Sequence, residues 1–447
     1  MTGAAPISNQ TVLIEKQRIA AVGPADSIGI PRAARIVDGR GKFLIPGLVD
    51  MHVHLTAAGE PDGSRSFMIP LLLANGITTV RDMGGYLESL IPLREEIKDG
   101  KRLGPRIFYA GPYLDGSPPS FQPSFVVMDR TQANEDVRQL VERGVDFIKV
   151  QSMLSPDAYF AIAEAARREH LVFVGHVPDR VTAAEAADAG QHSIEHLTNV
   201  LRGCSRDEYG LLREQFYVPS SKETPEQAHA RVVRWQRKML ESYSQPEADA
   251  LLRKFVTNNV WQTPTLVLLK NDAFPNLQAA PAHEDREKYI PRGILAVWRE
   301  ARALQMRFVT PAESELREQL FGKSVSLVRQ MQRSGVHVLA GTDSPAPYVL
   351  PGFALHEELA MLVDAGLSPN EALQAATRNA GEFLATTKDS GTIASGNYAD
   401  LVLLDANPLD DIHNSQRIRA VVVHGQILER AALDKMLADE LSFASGH

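Results

Sequence analysis

A single cysteine, Cys204, serves a chain of 447 residues. That excludes an internal disulfide and any zinc cluster built on cysteine. No run of 18 apolar residues occurs, and Met1–Gln10 lacks the charged and apolar segments of a secretory leader, so no membrane partner is expected. The net charge of −8 is dispersed rather than gathered into blocks, which argues against a nucleic-acid partner or an anionic-membrane surface. Also missing is the Gly-rich phosphate turn of open doubly wound sheets. Short repeats and low-complexity tracts are absent too. What remains, 44% hydrophobic and 23% charged, is a globular composition, and the length suits one large domain with a smaller one.

The two ends read alike. Residues 11–45 and 397–428 alternate short β-like runs such as TVLIEKQRIAAVG, ADLVLLDANP and IRAVVVHGQIL with turns. Residues 1–46 and 390–447 are therefore expected to fold together as a small β-sandwich domain around a 47–389 core. The opening is abrupt, with little ahead of Thr11 to pair with, which predicts a missing first strand. A cytoplasmic location is expected, the alternative being an export signal lost with that strand. The core alternates strands and helices: Leu48–His54, Ile77–Asp82, Arg106–Gly111, Phe147–Val150, Leu171–His176, His192–Leu197, Val260–Val267 and Val336–Asp343 read as strands. Amphipathic stretches separate most of them; Ser155–Glu169 is one, with Ser155 as N-cap and Pro156 in the first turn. Eight strands of this kind predict an α/β protein, a (β/α)8 TIM-like barrel. The long stretches 204–258 and 270–334 are expected to carry extra helices over the mouth or at a contact in a homo-oligomer.

Catalysis in such barrels sits at the C-terminal strand ends. There the sequence places His52 and His54 on strand one, Lys149 on strand four, His176 on five, His196 on six and Asp343 on eight. Alternation in LVDMHVHLT puts His52 and His54 on one face and Met51, Val53 and Leu55 on the other. Each residue alone has an ordinary reading: a bonded core histidine, a strand cap, a Glu195–His196 surface pair, a helix cap at Asp343. Their coincidence on five strands is harder to dismiss. Lys149 stands out because an ammonium between Ile148 and Val150 is costly without a partner. It either snorkels to the mouth or serves as a nucleophilic amine able to take up carbon dioxide.

Taken in order, PGLVDMHVH, the strand-four lysine, VGH, SIEH and GTDS resemble the amidohydrolase superfamily in its two-metal form. TTVRDMGG, LHEELAMLVDAGLSPNEALQAAT and ADLVLLDANPLDDI resemble its imidazolonepropionase-like and prolidase-like branch. The resemblance implies that His52, His54 and Asp343 hold one metal, that His176 and His196 hold a second, and that N-carboxylated Lys149 bridges them together with a water or hydroxide. It implies zinc, with manganese, cobalt or iron as alternatives, and Asp343 as the catalytic proton carrier. The expected activity is hydrolysis of a C–N bond in a small-molecule substrate: a peptide-like, N-acyl amino acid or cyclic amide. An esterase, lactonase or phosphotriesterase on the same site is the alternative. One departure matters. Dipeptidase-like relatives often carry a glycine-rich, histidine-containing loop after strand three, whereas GPYLDGSPPSFQPSF has no histidine and suggests a more apolar pocket.

Two substrate contacts are expected besides: Arg81 at the end of strand two, unless it pairs with a carboxylate, and Tyr348 in the loop after Asp343. His192 shares the face of His196 if its strand begins early and is a loop residue otherwise. His356 reads as structural. His170, His229, His283, His337, His413, His424 and His447 carry no motif.

Overall fold

The computed structural model describes residues 6–56, 66–215, 223–275 and 285–446. At the amino end, β1 (Gln10–Glu15) and β2 (Arg18–Pro24) form an antiparallel hairpin. Next, β3 (Phe43–Pro46) crosses to the far end of the chain. It pairs antiparallel with β13 (Leu401–Leu404), itself followed by β14 (Ile418–Val423) and β15 (Gln426–Glu429), in the order β15-β14-β13-β3. The hairpin is tied on through Ile19 N–H to Asn397 O at 2.8 Å and Ala399 N–H to Gln17 O at 2.9 Å. The two chain ends thus share backbone pairing. A C-terminal helix, Arg430–Gly446, packs on helix Met68–Ala74; its sequence gave no reason to expect it.

Between the ends lie parallel strands: β4 (Leu48–Val53), β5 (Ile77–Asp82), β6 (Arg106–Tyr109), β7 (Tyr113–Asp115), β8 (Ser124–Val126), β9 (Ile148–Val150), β10 (Phe173–Gly175), β11 (Ser193–Glu195) and β12 (Trp261–Thr263). They form one run β4-β5-β6 and another β12-β11-β10-β9-β7-β8. Strands β7 and β8 fall in the loop expected after strand three. The segment expected as strand eight makes only isolated bridges, Gln262 with Val338 and Val53 with Ser344. Its backbone nonetheless bonds on both sides: Leu339 N–H to Gln262 O at 2.8 Å, and Met51 N–H to Ala340 O at 2.9 Å. The seventh strand is shorter than expected. Pro264 supplies no amide hydrogen and Thr265 is left-handed at φ 45°, so a helix starts at Leu266.

Helices fill the connections. In Pro156–Arg168, Ser155 accepts from Ala158 N–H at 3.2 Å with Pro156 in the first turn, as the sequence indicates; such a cap is worth about 1 kcal/mol. The long stretches carry Glu208–Gln215, Pro225–Glu241, Gln245–Thr257, Arg292–Met306 and Pro311–Ser334. Among the described residues no helix is long and apolar enough to cross a membrane.

The buried apolar residues form three clusters, one of them (Ile19, Ala399, Leu401 and Val422) between the paired chain ends. Val49, Met51, Phe147, Val174, Trp261 and Leu339 meet in a cluster supplied by the strand segments. Val53 and Leu55 join the larger cluster under the helices. Met51 therefore does not share a face with Val53 and Leu55, as simple alternation predicted. The register of β4 against β5 slips between Asp50 and Val53, and that one-residue irregularity breaks the period of two.

Candidate metal centre

The strand ends bring His52, His54, His196 and Asp343 together. The ring centroids of His52 lie 5.3 Å from His54 and 4.5 Å from His196, and His176 lies 5.1 Å from His196. His52 Nε2 and His54 Nε2 approach one oxygen, Asp343 Oδ1, at 3.1 and 3.0 Å. His52, His196 and Asp343 present donor atoms within 4.8 Å of one another, the geometry of a metal-binding group. This triangle crosses the division into two ligand sets that the resemblance implies. On the neighbouring strand Lys149 pairs in register with Val174, which brings it beside His176.

Every histidine of the group is held from behind. His52 Nδ1 is 2.9 Å from Glu195 Oε2, and His54 Nδ1 is 2.9 Å from the Gly84 carbonyl. Those oxygens only accept, so each Nδ1 carries the proton. His176 Nδ1 meets Ser152 Oγ at 2.9 Å and His196 Nδ1 meets Thr265 Oγ1 at 2.7 Å. In each case the other ring nitrogen is left for the centre, the usual arrangement behind a ligating histidine. Burial lowers the pKa of His52, sends that of His176 well below its ordinary value and takes that of His196 to about 3, so these rings are neutral. Burial opposes ionisation of Asp343, and its carboxyl falls well below the usual range only through positive charge at the neighbouring His196 and His52; with those rings neutral, a bound cation would supply that charge.

The centre strains the backbone. His196 and Asp343 are left-handed at φ 57° and 67°, a conformation uncommon for non-glycine residues although Asp and His adopt it more than most. The kink also explains a parity puzzle. Ser193 and Glu195 share the inward face of β11, and His196 joins them only because the chain turns at the strand end.

Within this group, two of the buried atoms that lack a hydrogen-bond partner among the described residues are His52 Nε2 and Lys149 Nζ. Burial takes the lysine down to about 8 against the pull of Glu195 and Asp343. A bare imidazole nitrogen facing a carboxylate oxygen at 3.1 Å is two acceptors opposed, and a cation between them resolves the conflict. The residues therefore fit a divalent metal. With no cysteine present, the donor set of imidazole and carboxylate suits zinc, manganese, cobalt or iron.

Arg81 is placed differently from the expected substrate contact. It is fully buried, with Nη2 at 2.9 Å from both oxygens of Glu195 and Nε at 2.6 Å from the Met51 carbonyl. Its donors hold Glu195, which in turn orients His52. Glu195 is the residue that sequence reasoning missed, entering there only in the ordinary alternative of a surface pair; its alternation with Ser193 on a strand was the available signal. Arg81→Met would leave Glu195 buried without its cation. We expect a loss of about 3–5 kcal/mol, measurable as a lowered urea midpoint.

Tyr348 follows Asp343 in the chain, but its ring meets Trp298 at 5.6 Å and the Arg302 guanidinium at 5.3 Å, so its described contacts are structural. His192 precedes β11 and stacks on Phe383 at 4.8 Å, which settles it as a loop residue. His356 is buried between Ser415 Oγ and the Asn75 carbonyl, a structural role. His283 and His447 lie outside the described residues.

A model described as the Amidohydrolase family matches residues 43–428. Ochratoxinase of Aspergillus niger is 22% identical, over 93% of this chain and 81% of that enzyme. Adenine deaminase 2 of Shouchella clausii is 36% identical over 69 residues, which span only 12% of that enzyme. Among solved structures, bottromycin amidohydrolase superposes with a TM-score of 0.74 at 24% identity, covering 97% of this chain and 86% of that one. A Xaa-Pro dipeptidase with methionine bound in its active site gives 0.65 at 19% identity, covering 94% of each chain. Likeness at these identities is likeness of fold.

Proposed function

The chain belongs to the amidohydrolase family, and from that premise we propose that it hydrolyses the C–N bond of a small amide: a peptide-like compound, an N-acyl amino acid or a cyclic amide. The observation that carries this reading is the pair of histidine nitrogens converging on Asp343 Oδ1 at 3.0–3.1 Å, one of them bare and buried. Residues 47–389 are read as a (β/α)8 barrel, in support of which segment 337–344 bonds both β12 and β4. Residues 1–46 and 390–447 are read as the small β domain.

His52, His54 and Asp343 would hold one divalent cation, zinc for preference, and His176 and His196 a second. Lys149 would lie between them as its N-carboxylate. The uncharged amine adds to carbon dioxide, an N–C bond forms, and one proton is released. A bound metal pair supplies an acidified water near neutral pH and a Lewis acid for the scissile carbonyl. Asp343 receives the proton of the attacking water and passes it to the leaving nitrogen. Glu195 keeps His52 in the tautomer that presents Nε2, and Arg81 keeps Glu195 ionised and in place.

About two divalent metals per chain are expected by elemental analysis. A strong chelator should remove them together with activity, and zinc, manganese or cobalt should restore both. A fully active preparation with one metal would overturn the two-metal reading. The same preparation, assayed on matched amides, lactones and phosphotriesters, tests the bond: hydrolysis of esters alone would favour the esterase alternative.

A further inference from the structure

The loop after β6 replaces the histidine of dipeptidase-like relatives with aromatics, and its geometry gives them a place. Tyr113 OH lies 3.2 Å from His54 Nδ1, and the two ring centroids are 6.0 Å apart. The phenol reaches that position because residue 84 is glycine: a Cβ there would meet Tyr113 Cε1 at 2.1 Å, and its φ of 156° suits no other residue. The Phe121 ring follows Tyr113 at 6.3 Å. Phe121 remains 57% exposed, so an aromatic row runs from the part-buried His54 out to an open ring.

The row is held in place. Asp115, fully buried, accepts from Ser120 N–H at 2.6 Å, Gly116 N–H at 2.9 Å and Met153 N–H at 2.8 Å. One carboxylate thus anchors the residue before Phe121 and the loop after β9, where Met153 stands 41% exposed. A Cβ at Gly116 would strike the Met153 carbonyl at 1.9 Å, so the two loops touch only because residue 116 is glycine. Exposure alone is ordinary for a single apolar side chain; what marks Phe121 is its place at the outer end of an anchored row that begins at His54, beside the candidate metal ligands. A substrate ring would cover it.

We propose that Tyr113 and Phe121 form a subsite for a planar aromatic group of the substrate, with Phe121 determining specificity and Asp115 a positioning residue. The proposal rests on the amide-hydrolase reading above and names its substrate class: amides carrying an aromatic ring next to the scissile bond, rather than small aliphatic dipeptides. Ring-on-ring contacts of this kind contribute roughly 3–10-fold in affinity.

Metal-loaded enzyme is assayed on N-acetylphenylalanine, N-benzoylglycine and N-acetylalanine, and calorimetry measures binding of the same three compounds to metal-free enzyme. At least one aromatic compound should exceed N-acetylalanine in kcat/KM and in affinity. Phe121→Ala should reduce both ratios roughly 3–10-fold, through KM rather than kcat, and Phe121→Tyr should restore them. Ile36→Ala, which removes a 74%-exposed apolar side chain elsewhere, should leave them unchanged. Ratios equal in wild type and Phe121→Ala overturn the subsite. If no amide is hydrolysed, the proposed function falls, and the binding ratios still decide the subsite.

Discussion

Lys149→Ala should lose one metal per chain and nearly all turnover while the protein stays folded. Lys149 is fully buried on β9, in register with Val174 on the strand that leads into His176, and its Nζ has no hydrogen-bond partner among the described residues. Nothing in the fold depends on an ion pair there, so truncation breaks none; the desolvated amine itself opposes folding. Stability should therefore hold within about 1–2 kcal/mol of the parent, the cavity left by the side chain offsetting the relief. Function should not hold. With the proposed bridging carboxylate gone, several kcal/mol of transition-state stabilisation should be withdrawn, a fall of about 10³ or more in kcat. Formate or acetate at millimolar concentrations should restore part of the activity by filling the gap. Electron density at the lysine tip is the direct measurement, because a carbamate is lost in acid. An unmodified amine in a metal-loaded crystal would remove Lys149 from the centre.

The strand ends were legible because polar residues interrupt apolar runs there, and burial makes such interruptions expensive. His52, His54, Lys149, His176, His196 and Asp343 all come from those interruptions, and the structure gathers them at neighbouring strand ends. Pairwise relations across strands were not legible. Glu195 sits beside a histidine in sequence, but its partners, Arg81 and His52, come from strands more than 100 residues away. Local backbone departures were hidden as well. The slip in β4 that turns Met51 away from Val53, and the left-handed turns at His196 and Asp343, break the period of two on which strand parity depends. Asp and His visit the left-handed conformation more than most residues, but too weakly for the sequence to mark these two positions. The departure that sequence did show, a strand-three loop without histidine, became interpretable only when Gly84 and Asp115 were seen to seat Tyr113 and Phe121.

Asp343→Asn should separate the two duties proposed for that residue. As a ligand, Asp343 would be held ionised by the cation it binds, which outweighs the burial that opposes the charge. As a proton carrier it must accept a proton once the attacking water has spent its charge on the carbonyl. The side-chain amide of Asn keeps the size and one ligating oxygen but takes up no proton near neutral pH. Metal content should survive at least in part, and kcat on amides should fall by about 10²–10⁴, the usual range for general acid–base catalysis. An activated aryl ester expels a leaving group that needs no proton, so its hydrolysis should fall much less. The comparison is informative because both substrates meet the same centre and differ only in proton demand. Equal losses on amide and ester, with both metals still bound, would make Asp343 a ligand alone, and the proton would then have to travel through another group at the strand ends.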